Sequence, residues 1–253
     1  MTSMNAYGAE FIGTALLVLL GDGVVANVLL SKTKGHQGGL IVITLGWAMA
    51  VFAGVLCAKD ASGAHLNPAV SIALALAGKF AWGAVPGYIA AQMTGGFLGA
   101  TMVYLYYRPH FAATNDPEGK LAIFCTGPAI RSAGDNFFSE TVGTFVLLFA
   151  VLFITDPRFK LEVAGGMPAS EVPIGLGSMG ALPVALIVLA IGLSLGGTTG
   201  YAINPARDLG PRLAHALLPI PGKRDSDWAY AWIPVVGPIF GGVLAVLLWQ
   251  VMR

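Results

Sequence analysis

The sequence predicts an all-α membrane protein with six transmembrane helices, two shorter re-entrant half-helices and an inverted internal repeat. Three observations support this fold class. Hydrophobic residues make up 56% of the chain and charged residues 11%, whereas roughly a quarter of an average soluble domain is charged. Six apolar runs have about the 20 residues that a spanning helix needs. The tripeptide Asn-Pro-Ala occurs twice, at Asn67 and at Asn204.

Length separates the spanning segments from the half-helices. The long runs cover residues 7–30, 39–58, 84–107, 137–155, 181–200 and 229–252. Two apolar runs, 67–77 and 204–218, are too short to cross. At ~1.5 Å per residue the first of them covers about half of the ~30 Å hydrocarbon core. The order is therefore three spans and one half-span, twice.

The two halves of the chain match each other. Glu10 aligns with Glu140 and Asn67 with Asn204, which indicates one domain, 1–253, with repeat 1 at about 1–107, a connecting loop at about 108–136 and repeat 2 at about 137–253. Because each repeat contains an odd number of spans, the second begins on the opposite side of the membrane. Equivalent half-helices should therefore point at each other.

Each tripeptide has the chemistry of a helix start. Asn is a favoured N-cap and Pro is favoured at the first helical position. The Asn amide offers two N–H donors, and the helix N-terminus adds partial positive charge beside it. We expect two donor-rich positions near the membrane midplane. The residues concerned are Asn67, Pro68, Ala69, Asn204, Pro205 and Ala206.

These motifs, together with Ala9-Glu-Phe-Ile-Gly-Thr14 and Ser139-Glu-Thr-Val-Gly-Thr144, resemble those of the major intrinsic protein (aquaporin) family, aquaglyceroporin branch, to which the bacterial glycerol uptake facilitators belong. The resemblance covers nearly the whole chain. It implies a passive channel that conducts glycerol, other small neutral solutes and water, and excludes protons and ions. It also implies a homotetramer in the inner (plasma) membrane, with cytoplasmic termini and no cofactor or metal.

Four residues are candidates for a selectivity filter. Arg207 lies in the first turn of its half-helix, where the helix dipole disfavours a cation, which indicates a function. The resemblance adds Trp47, Gly192 and Tyr201 to the constriction, with Gly192 leaving room for a carbon chain. Tyr201 replaces the usual Phe of glycerol facilitators, so the order of glycerol, urea and water stays open. Taken alone, Trp47 also fits an interfacial position, and Arg207 also fits an ion pair with a loop carboxylate.

Non-helical backbone before each half-helix should turn carbonyl oxygens toward the pore, because irregular backbone at membrane depth is tolerated where it lines a cavity. The candidate residues are Gly63, Ala64, His65, Gly200, Tyr201 and Ala202. His65 also fits a hydrogen-bonded loop residue.

Glu10 and Glu140 are carboxylates inside apolar spans, where an acid needs polar partners. We expect each to accept hydrogen bonds from the backbone amides before its half-helix. The alternative is a proton relay, as in a coupled secondary transporter of a small polyol; a water-preferring aquaporin is a further alternative. No catalytic or metal-ligand constellation points to an enzyme.

Charge sets limits on partners and orientation. The net charge of +1 and the absence of like-charge runs argue against nucleic acid. Loop Lys and Arg residues normally concentrate on the cytoplasmic side. Here the larger basic group falls outside if the termini are cytoplasmic, so the orientation is taken from the resemblance.

Overall fold

A computed structural model describes residues 4–155, 157–161 and 170–253. Its α-helices are α1 (Ala6–Leu29), α2 (Gly39–Ser62), α3 (Pro68–Leu76), α4 (Val85–Ala113), α5 (Pro117–Phe124), α6 (Ala133–Phe153), α7 (Leu182–Leu195), α8 (Pro205–Leu217) and α9 (Ile233–Val251). Short 3-10 turns cover Trp82–Ala84 and Gly177–Ala181. Two strands, β1 (Arg158–Leu161) and β2 (Ser170–Pro173), complete the described elements.

Five helical segments in the described ranges are long and apolar enough to cross a membrane: α1, α2, α6, α7 with its preceding turn, and α9. The sixth predicted span is α4, which has 29 residues and so exceeds the thickness of the hydrocarbon core. It is less apolar than the other five because it carries polar residues such as Gln92, which is completely buried.

The connections are more ordered than the sequence predicts. Most of the expected loop at 108–136 is helical, because α4 continues to Ala113, α5 follows, and α6 begins at Ala133. Helix α5 starts with Pro117 at its first position and Glu118 in its first turn, both favourable there. The antiparallel pairing of β1 with β2 adds a small hairpin between α6 and α7 to the all-α prediction.

Glycines let the long helices of each half pack closely. A Cβ atom on Gly99 of α4 would lie 2.5 Å from the carbonyl oxygen of Ala15 on α1. In the other half, a Cβ on Gly241 of α9 would lie 2.2 Å from the carbonyl oxygen of Thr141 on α6. Backbone contact of this kind is typical of membrane helices with small residues at the interface. It holds α1 against α4 and α6 against α9.

The two half-helices begin at the predicted residues. Asn67 caps α3 and Asn204 caps α8, each in an extended backbone conformation and each followed by Pro at the first helical position. Each Asn Oδ1 accepts a backbone N–H from its own first turn, from Ala69 at 2.9 Å and from Ala206 at 3.0 Å. The side-chain amide NH2 groups are thereby free to face away from their own helices.

Candidate solute pathway

The two half-helices meet through a reciprocal pair of hydrogen bonds. Asn67 Nδ2 donates to the carbonyl oxygen of Ile203 at 2.8 Å, and Asn204 Nδ2 donates to the carbonyl oxygen of Leu66 at 2.8 Å. Each amide thus uses one of its two N–H groups to join the halves. The second N–H of each Asn remains available to a solute, so each position offers one donor to the cavity.

Glu10 holds the first non-helical stretch in place. Its Oε1 accepts from the Ser62 hydroxyl at 2.6 Å and from the His65 backbone N–H at 2.9 Å. Its Oε2 accepts from the Leu66 backbone N–H at 2.7 Å and from the Gln92 side-chain amide at 2.8 Å. Four donors therefore satisfy a carboxylate that is completely buried.

Glu140 holds the second stretch in the same way. Its Oε1 accepts from the Thr199 hydroxyl at 2.7 Å and from the Ala202 backbone N–H at 2.9 Å. Its Oε2 accepts from the Ile203 backbone N–H at 2.9 Å. Both acids thus accept hydrogen bonds from the backbone before a half-helix, as a structural role requires.

Left-handed backbone accompanies these bonds in both stretches. Gly63 and Gly200 both have φ of +82°, and the residues after them, Ala64 and Tyr201, have φ of +51° and +38°. The N–H groups that follow turn toward the acids, which leaves several carbonyls of each stretch facing elsewhere. In the described ranges no protein donor contacts the carbonyl oxygens of Gly63, Ala64, His65, Gly200, Tyr201 and Ala202.

A cavity of about 180 Å³ lies between the two halves. The predicted site residues in its lining are Trp47, Gly63, Ala64, His65, Asn67, Tyr201, Ala202, Asn204 and Arg207. Its apolar lining includes Val51, Val55, Leu147, Val151, Val184 and Val188. The other predicted residues lie outside this lining. Four of them form the half-helix starts: Pro68, Ala69, Pro205 and Ala206. Glu10 and Glu140 bind the loops, and Gly192 and Gly200 are the remaining two.

Arg207 and Trp47 form one polar and aromatic side of the cavity. The Arg207 guanidinium lies over the Trp47 ring, 4.0 Å from its centre. Trp47 is buried, which does not fit the interfacial alternative. In the described residues Arg207 forms no ion pair; the neighbouring Asp208 instead binds Arg212 at 2.8 Å. Among the described residues, Arg207 therefore does not pair with a loop carboxylate.

Gly192 corrects one expectation drawn from the sequence. A Cβ atom there would lie 2.4 Å from Thr44 Cγ2, 2.9 Å from Tyr201 Cζ and 3.0 Å from the Tyr201 hydroxyl. The space beside Gly192 is thus occupied by the Tyr201 ring and Thr44 rather than left open for a carbon chain. The missing side chain of Gly192 leaves room for the Tyr201 ring beside α7.

His65 combines its two predicted interpretations. Its ring Nδ1 lies 3.0 Å from Ser71 Oγ, and its ring packs against Phe80 and Tyr88 at centroid distances of 4.5 and 4.9 Å. It also lines the cavity. His65 is therefore a hydrogen-bonded loop residue with one side on the cavity.

Two buried polar residues escape the sequence interpretation. Thr44 on α2 contacts the Gly192 position, and its hydroxyl side chain gives no signal in an apolar run. Asp22 on α1 is completely buried. An acid within the run 7–30 is a signal of the same kind as Glu10, but it belongs to neither matched motif.

The comparisons with known proteins agree with this geometry. Residues 1–249 match the family described as Major intrinsic protein. The chain is 56% identical to a probable glycerol uptake facilitator protein of Thermotoga maritima, over 98% of this chain and 99% of that protein. It is 53% identical to glycerol uptake facilitator protein 3 of Lactiplantibacillus plantarum, over 96% of this chain and 95% of that protein.

A solved structure gives the same result for the fold. The X-ray structure of the aquaglyceroporin from Plasmodium falciparum superposes with a TM-score of 0.80 at 33% sequence identity, covering 96% of this chain and 93% of that chain. The predicted fold class is confirmed, with the β1–β2 hairpin as an addition. With two half-helices meeting at Asn67 and Asn204 and a family match over almost its full length, the chain belongs to the major intrinsic protein family.

Proposed function

We propose that residues 1–253 form a single channel domain that conducts glycerol and similar small neutral solutes passively, with water as a co-permeant. The observation that carries the proposal is the mixed polar and apolar lining of the cavity. Asn67, Asn204 and Arg207 supply hydrogen-bond donors to this lining, and valines such as Val51 and Val188 supply apolar surface.

The polar groups of the lining match a chain of hydroxyl groups. Each hydroxyl both donates and accepts hydrogen bonds. The amides of Asn67 and Asn204 and the guanidinium of Arg207 donate, while the unpartnered carbonyls of the two loops accept. A polyol can therefore exchange its hydration for equivalent bonds along the path, and its C–H side can face the valines.

The same lining disfavours ions. Both half-helices present their N-termini, with partial positive charge, to the centre of the molecule. The apolar side chains of the lining offer no ligands to replace the hydration of an ion. A proton would need a continuous chain of donors and acceptors, and the donor groups of Asn67 and Asn204 interrupt such a chain. We propose that the channel excludes protons and ions for these reasons.

The names of the relatives support glycerol over water as the preferred solute, since two of them are called glycerol uptake facilitators. No observation favours a coupled transporter, because the hydrogen-bonding capacity of Glu10 and Glu140 is used in holding the loops. Urea remains a second candidate solute, with Tyr201 as the residue that sets its rank.

We further propose a homotetramer in the plasma (inner) membrane with both termini in the cytoplasm. Large apolar side chains are exposed on the outside of the bundle, for example Ile41 at 65%, Leu193 at 53% and Leu247 at 48% exposure. Such a surface suits lipid or neighbouring subunits. The proposal involves no cofactor and no nucleic acid.

The test is solute-driven swelling of proteoliposomes, followed by light scattering, with glycerol, urea, water and a five-carbon polyol. We expect glycerol entry well above that of empty liposomes and much slower entry of the larger polyol. Glycerol entry equal to the empty control would contradict the proposed function. Fast water flux with no glycerol flux would favour the water-preferring alternative.

A further inference from the structure

One face of α2 runs along the cavity from the filter to a lysine. Residues four apart lie on the same face of a helix. Four such residues of α2 belong to the cavity lining: Trp47, Val51, Val55 and Lys59. At ~1.5 Å per residue, the distance along α2 from Trp47 to Lys59 is about 18 Å. Lys59 therefore lies at the end of this face that is farthest from Trp47 and the Arg207 guanidinium stacked on it.

The Lys59 side chain is held against a glycine at this end of the cavity. Gly180 lies just before α7 and belongs to the same lining. A Cβ atom on Gly180 would meet the Lys59 ammonium nitrogen first, followed by Lys59 Cε at 3.3 Å and Cδ at 3.7 Å. The end of the lysine side chain thus packs on the backbone of Gly180. This contact places the ammonium group between α2 and the segment that leads into α7.

Lys59 also borders a second cavity, which has a volume of about 210 Å³. The other residues in the lining of this second cavity are Leu56, Asp60, Gly177, Ser178 and Ala181. Among the described residues, Lys59 is the one member that both linings share. A solute that moves between the two cavities would therefore pass the Lys59 ammonium group.

The Lys59 charge is not neutralised within the described part of the chain. No acid there lies at ion-pair distance from its ammonium group, and Asp60, the next residue, lines the second cavity without pairing to it. In the same residues, the lining of the main cavity holds the cations Lys59 and Arg207 and no carboxylate. The half-helix N-termini add partial positive charge between them.

Helix capping explains the place of this lysine on α2 but not its contacts. Lys59 is in the last turn of α2, where the helix dipole favours a cation. A side chain that extended into solvent would serve that purpose equally well. The Lys59 side chain instead packs on Gly180 and borders both cavities, which indicates a role in the path.

We propose that Lys59 is a specificity-determining residue at the end of the solute path opposite Arg207. The inference rests on the proposed function, because it takes the main cavity as that path. An ammonium group has three hydrogen-bond donors and no acceptor. A neutral polyol can accept these hydrogen bonds, whereas a cationic solute of the same size is repelled. Cations are thus rejected at two points about 18 Å apart along α2, and the loss of Arg207 alone leaves the second point in place.

The first test compares the entry of glycerol and of 2-amino-1,3-propanediol, a glycerol analogue with an ammonium group at neutral pH, into proteoliposomes. The background is Arg207→Val, because the Arg207 charge would otherwise exclude the analogue on its own. Lys59→Met keeps a side chain of similar length without the charge. It should raise entry of the cationic analogue by about fivefold, as expected for one unit charge at contact distance in water. Glycerol entry should change by less than about twofold.

Lys79→Met in the same background is the matched control. Lys79 packs on the Trp249 ring, 5.0 Å from its centre, and lies outside the lining of both cavities. Its replacement should leave the entry of both solutes unchanged, after subtraction of entry into empty liposomes. No effect of Lys59→Met on the cationic analogue, or an equal effect of Lys79→Met, contradicts the inference.

The second test measures the charge beside Lys59 without any flux. Ser178→Cys places a thiol in the second cavity, while Cys57→Ser removes the exposed native thiol and Cys125 is buried. The rates at which an anionic and a cationic thiosulfonate of similar size modify this thiol report the local potential. Lys59→Met should lower the anionic-to-cationic rate ratio by about fivefold. Lys59→Arg and Lys79→Met should both preserve the ratio.

The two proposals fail in different ways. Absence of glycerol entry with the wild-type protein overturns the channel itself. Normal glycerol entry, together with a thiol rate ratio that Lys59→Met leaves unchanged, overturns only the role of Lys59. The thiol measurement needs no Arg207 variant, so the inference stays testable if Arg207→Val folds poorly.

Discussion

At the residue scale, the two buried glutamates are the clearest link between sequence and geometry. Glu140 on α6 and Glu10 on α1 each accept two consecutive N–H groups from a non-helical stretch. A carboxylate only accepts, so it suits a site where every neighbour donates. This is why an acid, rather than a neutral amide, stands at both positions.

Glu140→Gln tests this explanation. The amide would direct a donor at the N–H groups of Ala202 or Ile203 and lose an acceptor, which should destabilise the fold by about 2–3 kcal/mol. Thermal unfolding in detergent measures the loss. Glu118→Gln is the control, since that acid is 73% exposed and bonded to Arg224 on the surface. Equal melting temperatures for the two variants would contradict a structural role for Glu140.

Gly192→Ala tests the corrected role of that glycine. The new methyl group would overlap Thr44 Cγ2 and the Tyr201 ring, and such overpacking typically costs about 1–3 kcal/mol. We expect Tyr201 to move into the cavity and glycerol permeability to fall in proteoliposomes with matched protein content.

The second substitution Thr44→Ser removes Cγ2, the atom that the methyl group would meet first, at 2.4 Å. The double variant should therefore recover part of the glycerol permeability. If Gly192→Ala conducts glycerol as well as the wild-type protein, Gly192 does not control the position of Tyr201.

Sequence patterns predict the positions of site residues that belong to a motif. They do not predict positions that depend on how side chains pack in three dimensions. Asn67, Asn204 and Arg207 stand in fixed positions relative to a helix start, so their places on the cavity follow from the motif. The Gly192 position depends on which side chain fills the space beside it. No local rule says that this side chain is Tyr201.

At the element scale, glycine contacts explain how the long helices lie close enough to bring the half-helices together. Gly241 on α9 meets the backbone of α6, and Gly99 on α4 meets the backbone of α1. In lipid there is no hydrophobic force between helices, so close backbone packing supplies much of the association.

Gly241→Ala and Gly23→Ala form a matched pair of variants. A Cβ on Gly241 would lie 2.2 Å from a backbone oxygen that cannot move aside easily, while a Cβ on Gly23 would meet nothing within 4 Å. We expect Gly241→Ala to destabilise the protein by about 1–3 kcal/mol. Gly23→Ala should be neutral or stabilising by up to about 1 kcal/mol, since Ala is the better helix former. Equal unfolding temperatures would remove the packing explanation.

The spanning elements are predictable because hydrophobicity over ~20 residues is a strong signal, and the described helices follow it. The connections are not. Apolar content ends near residue 107, yet α4 continues through Arg108 and Pro109 to Ala113, although an interior Pro removes a helical hydrogen bond and disfavours continuation. Helix α5 and the β1–β2 hairpin are too short and too polar for the same criterion.

At the scale of the whole molecule, the fold brings two helix starts from distant parts of the chain into contact. The bond from Asn67 to Ile203 and the bond from Asn204 to Leu66 relate the halves by an approximate two-fold axis. The inverted repeat was predictable from the odd number of spans in each half. The hydrogen bond that each Asn donates across the axis was not predictable, because the motif alone shows two free N–H donors on each amide.

Passive conduction through a preformed pore is the central claim, and counterflow of labelled glycerol in proteoliposomes tests it most directly. A pore predicts that tracer entry is proportional to glycerol concentration and is not accelerated by unlabelled glycerol inside. It also predicts no change when ionophores collapse the ion gradients. Saturation of entry, acceleration by internal glycerol or dependence on an ion gradient would show alternating access instead and would contradict the claim.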